Sequence, residues 1–184
     1  MRVNGVPYRA IWLAEDGWSV AIIDQTRLPW DWQIAHLTTL EEAAEAIRAM
    51  RVRGAPLIGA TAAYGLCLGL RADPSDEGLT RAYEDLLATR PTAVNLRWAL
   101  DAMRAELQGL PAAERVEAAY HRAAAIADDE VATCRRIGEH GLPLIEAALA
   151  ARGGQGPVNI LTHCNAGWLA CVDWGTALAP IYRA

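Results

Sequence analysis

The sequence has 184 residues, of which 53% are hydrophobic and 21% charged, and its formal net charge is −5. This composition predicts an ordered, helix-rich protein with one full core and excludes an intrinsically disordered chain. The arginines are spread along the sequence without a basic block. Nucleic-acid binding is therefore not expected, because it needs a concentrated positive field.

The first part of the chain predicts a β-hairpin followed by a helix. Segments 6–13 and 18–24 are rich in Val, Ile, Trp and Tyr, and the Asp-Gly turn signal between them predicts antiparallel strands. A helix then begins with Thr38 or Thr39 as its cap, followed by acidic residues and by apolar residues at helical spacing.

The middle of the chain predicts a bundle of helices around one central helix. The longest apolar segment, 54–70, has Pro56 in its first turn and is apolar nearly all round, so we interpret it as a buried helix rather than a membrane span. Further helices are predicted up to about residue 88, over 94–107 and from Pro111 to Arg136. A break at Gly138, Gly141 and Pro143 is expected before a last segment that runs to Ala151.

A Gly-rich linker over 152–157 precedes a change of pattern. Residues 158–162 predict a buried parallel strand and, after a turn, residues 168–183 predict a helix, which together open a βαβ unit. A parallel sheet needs further strands and a covered second face. We therefore expect either a fragment or a last element that docks onto another surface.

Cys164 is the strongest candidate for chemistry. It follows the predicted strand, at the end where open α/β sheets place their ligands, and the amides of the predicted next helix would favour a thiolate. His163 and Asn165 flank it with hydrogen-bonding groups, and Gly167 permits close approach of the backbone. The alternative is a buried structural cysteine at a strand end.

Two turns that contain arginine are candidate anion sites. In Arg53-Gly54-Ala55-Pro56, uncovered backbone amides at the start of a helix beside Arg53 could cradle a phosphate, although an ordinary turn with a surface arginine fits equally. Arg90 is predicted in the last turn of a helix, where a cation suits the helix dipole, so the residues alone favour a structural role. The polar segment 24–29 is interpreted as a turn rather than as the lining of a pocket.

The cysteines and histidines predict no metal site. The four cysteines match neither a disulfide framework nor a zinc-binding spacing, and the histidines lie on separate predicted elements. The N-terminus has no apolar run of a signal peptide. We therefore expect a reduced, cytoplasmic protein that does not bind a membrane.

Four segments, taken in order, resemble the methylthioribose-1-phosphate isomerase family. They are 24–29 (DQTRLP), 53–59 (RGAPLIG), 90–96 (RPTAVNL) and 162–167 (THCNAG), and 175–178 also fits. The wider group includes ribose-1,5-bisphosphate isomerases and non-catalytic regulatory subunits of a translation-initiation exchange factor. Its members have a mainly helical N-terminal domain and a Rossmann-like C-terminal domain, and they are usually homodimers.

The resemblance implies an α+β fold in two parts. Residues 1–152 would form the mainly helical domain with a small antiparallel sheet, and residues 153–184 would supply the first strand and helix of a truncated Rossmann-like domain. The implied reaction, in methionine salvage, converts the aldose 5-methylthioribose 1-phosphate into the ketose 5-methylthioribulose 1-phosphate without a metal or a nucleotide cofactor.

The resemblance also implies roles for particular residues. Cys164 falls on the family's catalytic cysteine, and Arg53, Gly54, Ala55 and Arg90 fall on positions that hold substrate. The family's catalytic aspartate lies beyond this chain, so we expect the chain to be inactive alone. A regulatory or sugar-phosphate-binding relative and an isomerase of a related ribose phosphate are the alternatives. The thiol favours an isomerase, because a regulatory relative has no reason to keep it.

Overall fold

The N-terminal residues form two small antiparallel sheets in the computed structural model, which describes residues 1–184. The strands are β1 (Arg2–Val3), β2 (Val6–Pro7), β3 (Ile11–Leu13), β4 (Val20–Ile23) and β5 (Ile34–Leu37). β1 pairs with β2, and the other three form a sheet in the order β3-β4-β5. The central strand, β4, is buried along its whole length.

The predicted hairpin is confirmed, with shorter strands than expected. Ile11 of β3 lies opposite Ile22 of β4, while Val6 belongs to the separate β1–β2 pair. The ladder with β4 ends at Ala10: its carbonyl still accepts from the Ile23 amide at 3.1 Å, but its own amide donates to the Val172 carbonyl at 2.8 Å. β5, which the sequence did not predict, completes the sheet on the other side of β4.

Helices make up the rest of the fold. They are α1 (Leu40–Arg48), α2 (Ala55–Ala72), α3 (Asp76–Leu87), α4 (Val94–Leu107), α5 (Ala112–Ala151) and α6 (Ala179–Arg183), with a short 3₁₀ turn at Trp168–Ala170. Thr39, not Thr38, is the N-cap of α1, and its hydroxyl accepts a hydrogen bond from the Glu42 amide at 3.2 Å. The mainly helical architecture with a small antiparallel sheet is therefore confirmed.

The predicted central helix, α2, lies in the middle of the core, packed against α1, α3, α4 and α5. Its glycines allow this close packing: a Cβ added at Gly65 would lie 2.8 Å from the Cβ of Ala43 on α1. By length and composition α2 is the one helix able to cross a membrane, but 78% of that window is buried inside this fold. Such burial is typical of a core helix.

The break predicted within the last long helix is wrong, because α5 continues through Pro143 without interruption. The glycines that suggested the break lie instead where α6 packs closely against α5. A Cβ at Gly138 would lie 3.0 Å from the Ala179 carbonyl oxygen, and one at Gly141 would lie 2.4 Å from Pro180 Cγ. The tertiary contact between α5 and α6, rather than a chain reversal, explains these small residues.

The strand predicted over 158–162 and the long helix predicted over 168–183 are also wrong in this chain. Residues 158–162 have no regular structure, and Leu161 is 97% exposed, because no other strand lies beside them to complete a ladder. Left-handed backbone at Trp174 (φ 65°) and Gly175 (φ 85°) prevents one continuous helix. Instead, the 3₁₀ turn packs against α2, and α6 packs against α5. The predicted domain boundary at residue 152 stays a prediction.

Candidate functional site

The N-terminus of α2 is open to solvent. Gly54 is its N-cap with φ 108°, and no side chain caps the helix. Arg53 and Ala55 are both exposed on either side of Gly54. The first amides of a helix have no partner within it and carry the positive end of its dipole. This end of α2 therefore has the uncapped start that the predicted anion site requires, and anion binding there stays a prediction.

The structure brings this helix end against the segment that carries Cys164. Gly54 packs so tightly on Ala170 that an added Cβ would lie 2.4 Å from the Ala170 Cα and carbonyl oxygen. The Asn165 side-chain amide donates to the Arg53 carbonyl at 3.4 Å. The predicted anion site and the predicted cysteine turn are thus neighbours, although they come from distant parts of the sequence.

Gln25 joins the two segments, and the sequence did not reveal its role. It is 4% exposed, and its Nε2 donates to the Leu169 carbonyl at 2.6 Å. Its Oε1 accepts from Nε of Arg53 at 3.3 Å. Because the amide is buried and uses both ends, it positions the Arg53 guanidinium relative to the 3₁₀ turn.

Asp24, the residue before Gln25, is also buried and also binds an arginine side chain. It is 5% exposed, and its carboxylate accepts from Arg51 Nε at 2.8 Å and from the Thr26 hydroxyl at 2.6 Å. Burial alone would raise the pKa of Asp24, but the hydrogen bonds from Thr26 and Arg51 outweigh it and hold that pKa below its ordinary value. The interpretation of 24–29 as a simple turn was therefore incomplete. The sequence signal for this role is a pair of polar residues, Asp24 and Gln25, directly after an apolar strand.

Cys164 lies in an exposed turn with φ 70°. The alternative of a buried structural cysteine is therefore wrong for this residue. Left-handed backbone is uncommon for a residue with a side chain, and such conformations cluster at functional sites. The expectation that a following helix directs its amides at the thiol is also wrong, because only the 3₁₀ turn Trp168–Ala170 follows.

Arg90 lies half-buried beyond the end of α3 rather than in its last turn. The helix-dipole role that the residues alone favoured therefore does not apply, since α3 ends at Leu87. The Arg90 carbonyl accepts from the Ala93 amide at 2.9 Å, just before α4 begins without a side-chain cap. No hydrogen bond joins Arg90 to Arg53 or to the Cys164 turn.

A pocket of about 530 Å³ opens beside these segments, between the first turns of α2 and α4 and the middle of α5. One side of the pocket is formed by the starts of α2 and α4, which both lack a side-chain cap, and is lined there by Pro56 of α2 and Asn95 of α4. The polar residues Asp129, Glu130 and Thr133 line the opposite wall. None of the side chains predicted to act on substrate lines this pocket.

Glu130 and Cys134, on one wall of the pocket, lie beside the buried Cys171, and we term these three groups the thiol–carboxylate cluster. The hydrogen bond with Cys134, burial, and the negative charge of Glu130 raise the pKa of the Cys171 thiol. Sequence reasoning missed this cluster because Cys171 joins it from a distant segment.

Comparison with known proteins decides the family. The sequence profile of the Initiation factor 2 subunit family matches residues 51–184, which is most of the chain. The chain therefore belongs to the Initiation factor 2 subunit family. This membership confirms the wider group that the sequence motifs indicated.

Relatives in this family carry the predicted enzyme name. The protein named methylthioribose-1-phosphate isomerase from Acidiphilium cryptum is 63% identical over 185 residues, which cover 100% of this chain and 50% of the relative. The protein of the same name from Rhodospirillum rubrum is 60% identical over 188 residues, covering 100% of this chain and 48% of the relative. The chain thus spans about half the length of the curated relatives it matches.

Solved structures share the fold. The 5-methylthioribose 1-phosphate isomerase from Pyrococcus horikoshii matches with a TM-score of 0.80 and 35% identity over 96% of this chain and 50% of that one. The delta subunit of translation initiation factor eIF-2B from A. fulgidus matches with a TM-score of 0.79 and 35% identity over 97% of this chain and 51% of that one. Since both share the fold, function has to be argued from the site.

Proposed function

We propose that this chain supplies the substrate-anchoring half of an aldose–ketose isomerase that converts 5-methylthioribose 1-phosphate to 5-methylthioribulose 1-phosphate. The observation that carries the proposal is the contact between the open N-terminus of α2 and the exposed Cys164 turn, made by Asn165 and Arg53. The identity of 63% to a relative of that name, along the whole chain, supports the choice of substrate.

In this proposal the open end of α2 binds the substrate phosphate. Ala55 is the first residue of α2, so its amide has no partner within the helix, and the exposed Arg53 adds a full positive charge beside it. Arginine and helix amides together neutralise a phosphate with charge-assisted hydrogen bonds. Arg90 is proposed as the second arginine of the same subsite, as the family resemblance implies.

The exposed thiol of Cys164 then lies where the sugar carbon atoms react. Because C1 carries the phosphate, the ring does not open freely, so an acid must protonate the ring oxygen before hydrogen moves from C2 to C1. Cys164 serves either as the base of an enediol proton relay or as a group that stabilises charge during a direct hydride shift. In this proposal the acid is an aspartate outside residues 1–184, as the family resemblance implies.

The proposal includes a cytoplasmic homodimer that binds a small sugar phosphate and neither nucleic acid nor a membrane. All four cysteines are free thiols, which supports a reducing compartment. The acidic net charge of −5 supports the absence of nucleic-acid binding.

A non-catalytic binding role is the second candidate. It is favoured by the TM-score of 0.79 with the eIF-2B delta subunit, which nearly equals the score with the isomerase. Such a role needs the anion subsite but gives no task to an exposed thiol, so turnover of the sugar phosphate and its loss in Cys164→Ser separate the two candidates, while protection of Cys164 from alkylation tests the binding site that both share.

The test is iodoacetamide labelling of the full-length product of the gene that encodes this chain, read by mass spectrometry. Cys164 is exposed while Cys67, Cys134 and Cys171 are buried, so the buried thiols are an internal reference for unfolding. We expect 5-methylthioribose 1-phosphate to slow labelling of Cys164 at least tenfold, with inorganic phosphate and ribose 1,5-bisphosphate protecting less. Equal labelling with and without the sugar phosphate contradicts the proposal, and better protection by ribose 1,5-bisphosphate identifies the related substrate instead.

A further inference from the structure

The thiol–carboxylate cluster has the arrangement of a metal-binding site. Glu130 and Cys134 are four residues apart on α5 and so project from the same face of the helix, while Cys171 approaches from the segment after the 3₁₀ turn. Their ligand atoms, one carboxylate oxygen and two sulfur atoms, all lie within 4.8 Å of one another. Both cysteines are free thiols and are at most 2% exposed.

The carboxylate is held in place by its second oxygen. Oε2 of Glu130 accepts from the Val172 amide at 2.9 Å, and Oε1 faces the cysteines and accepts from Cys134 Sγ at 2.8 Å. A hydrogen bond that fixes the far side of a ligating carboxylate is common around metal ions in proteins. The nearby arginines pair with other carboxylates, Arg9 with Asp128 and both Arg135 and Arg183 with Glu139.

We propose that Glu130, Cys134 and Cys171 bind a divalent cation of the zinc type. Two sulfur ligands select a borderline or soft ion over magnesium or calcium, and a carboxylate completes a three-ligand set that leaves one tetrahedral position for water. Each thiol transfers its proton to solvent as the ion binds, so two protons are released and two metal–sulfur bonds form. The ion replaces the hydrogen bond between Cys134 and Glu130 with bonds from both groups to one centre.

The ion reaches this site through the 530 Å³ pocket, since Glu130 and Cys134 form part of its lining. The bound ion would tie Cys171 and its neighbours to α5 and thereby fix the 3₁₀ turn against which Gly54 packs. None of its three ligands belongs to the Cys164 turn or to the anion subsite, so we assign the ion a structural role rather than a step in the proposed isomerisation.

The experiment uses cobalt(II) as a coloured probe and zinc as its competitor, added to the reduced full-length product. We expect one equivalent of cobalt to give a sulfur-to-cobalt charge-transfer band, zinc to remove that band, and two protons to be released per zinc in weakly buffered solution. Cys134→Ser and Cys171→Ser should each weaken zinc binding at least tenfold, and Glu130→Gln, which keeps the side-chain shape, should weaken it as well. Cys164→Ser is the matched control and should bind as the parent does.

Three outcomes would overturn the proposal. The reduced protein gives no charge-transfer band with one equivalent of cobalt, Cys171→Ser binds zinc as tightly as the parent, or Cys164→Ser abolishes binding. Far-ultraviolet circular dichroism of each variant shows whether it is folded. If either serine variant fails to fold, the result with folded Glu130→Gln decides the question, because unchanged zinc affinity in that variant contradicts the proposed ligand set.

Discussion

Arg53 is exposed at the open end of α2, and its guanidinium is held by Gln25. Replacing it with methionine removes the charge while keeping much of the side-chain length. We expect Arg53→Met to weaken binding of 5-methylthioribose 1-phosphate at least tenfold, since a hydrogen bond to a charged group contributes about 1.5–3 kcal/mol. Calorimetric titration of the full-length product with the sugar phosphate measures this affinity. The control is Arg48→Met, which changes an exposed arginine on α1. Equal losses in both variants contradict a specific subsite.

Gly54 carries two constraints that no other residue type satisfies. Its φ is 108°, and an added Cβ would collide with the backbone of Ala170. Gly54→Ala should lower the free energy of unfolding by about 3 kcal/mol, combining backbone strain and overpacking. Urea unfolding measures the loss. Gly5→Ala, with φ 84° and no neighbour within 4 Å, isolates the strain, and Gly109→Ala, with neither constraint, should be nearly neutral.

Asp24 gives the fold a predictable dependence on pH. Its pKa is lower in the folded protein than in the unfolded chain, so its carboxylate stabilises the fold above its ordinary pKa of about 4. That stability is lost as the pH falls through the lower, folded-state pKa. Asp24→Asn should therefore cost about 2 kcal/mol at neutral pH and progressively less in acid. Urea unfolding across this range measures the difference, with exposed Asp85→Asn as the control. A loss that does not change with pH contradicts this account.

At the scale of elements, α6 packs closely on α5 because Gly138 and Gly141 of α5 have no side chain at the contact. In an exposed helix Gly→Ala raises stability by about 1 kcal/mol, but at Gly141 the new Cβ would meet Pro180 at 2.4 Å. Overpacking of this kind costs about 1–3 kcal/mol, more than the helix preference gains, so we expect Gly141→Ala to lower stability by about 1 kcal/mol and to speed amide exchange in α6. The exposed Ala148→Gly tests the ordinary preference of the same helix. Slower exchange in α6 of the Gly141→Ala variant would contradict the contact.

The sequence predicted those elements whose causes are local. The cap at Thr39, the proline at the start of α2 and the apolar spacing of α1 to α4 act within a few residues, and these helices form as expected. The strand over 158–162 needs a neighbouring strand that these residues do not have, and the continuity of α5 through Pro143 depends on its tertiary setting. Local signals therefore could not predict either feature.

The candidate site divides in the same way. The turn at Arg53, which we propose as an anion site, was predictable, because a glycine and a proline at the start of a helix are local signals. The contact of that turn with the segment after Cys164 was not, since it depends on Gln25 and on the packing of Ala170 against Gly54. The thiol–carboxylate cluster was missed for the same reason, because its members meet only in the folded chain.

At the scale of the whole molecule, one helical core carries the proposed anion subsite and holds the Cys164 turn beside it. The curated relatives are named methylthioribose-1-phosphate isomerase, and they align with the whole of this chain. The chain spans about half of their length. The same architecture also serves a translation factor subunit. The central claim is therefore chemical: this scaffold positions Cys164 to act on a sugar phosphate.

The initial rate of 5-methylthioribulose 1-phosphate formation by the full-length gene product tests that claim most directly. We predict turnover of 5-methylthioribose 1-phosphate, and a loss of at least about a hundredfold in kcat for Cys164→Ser with substrate still bound, as expected for a group acting in proton transfer. No turnover by the parent protein, or turnover by Cys164→Ser at the parental rate, would contradict the account.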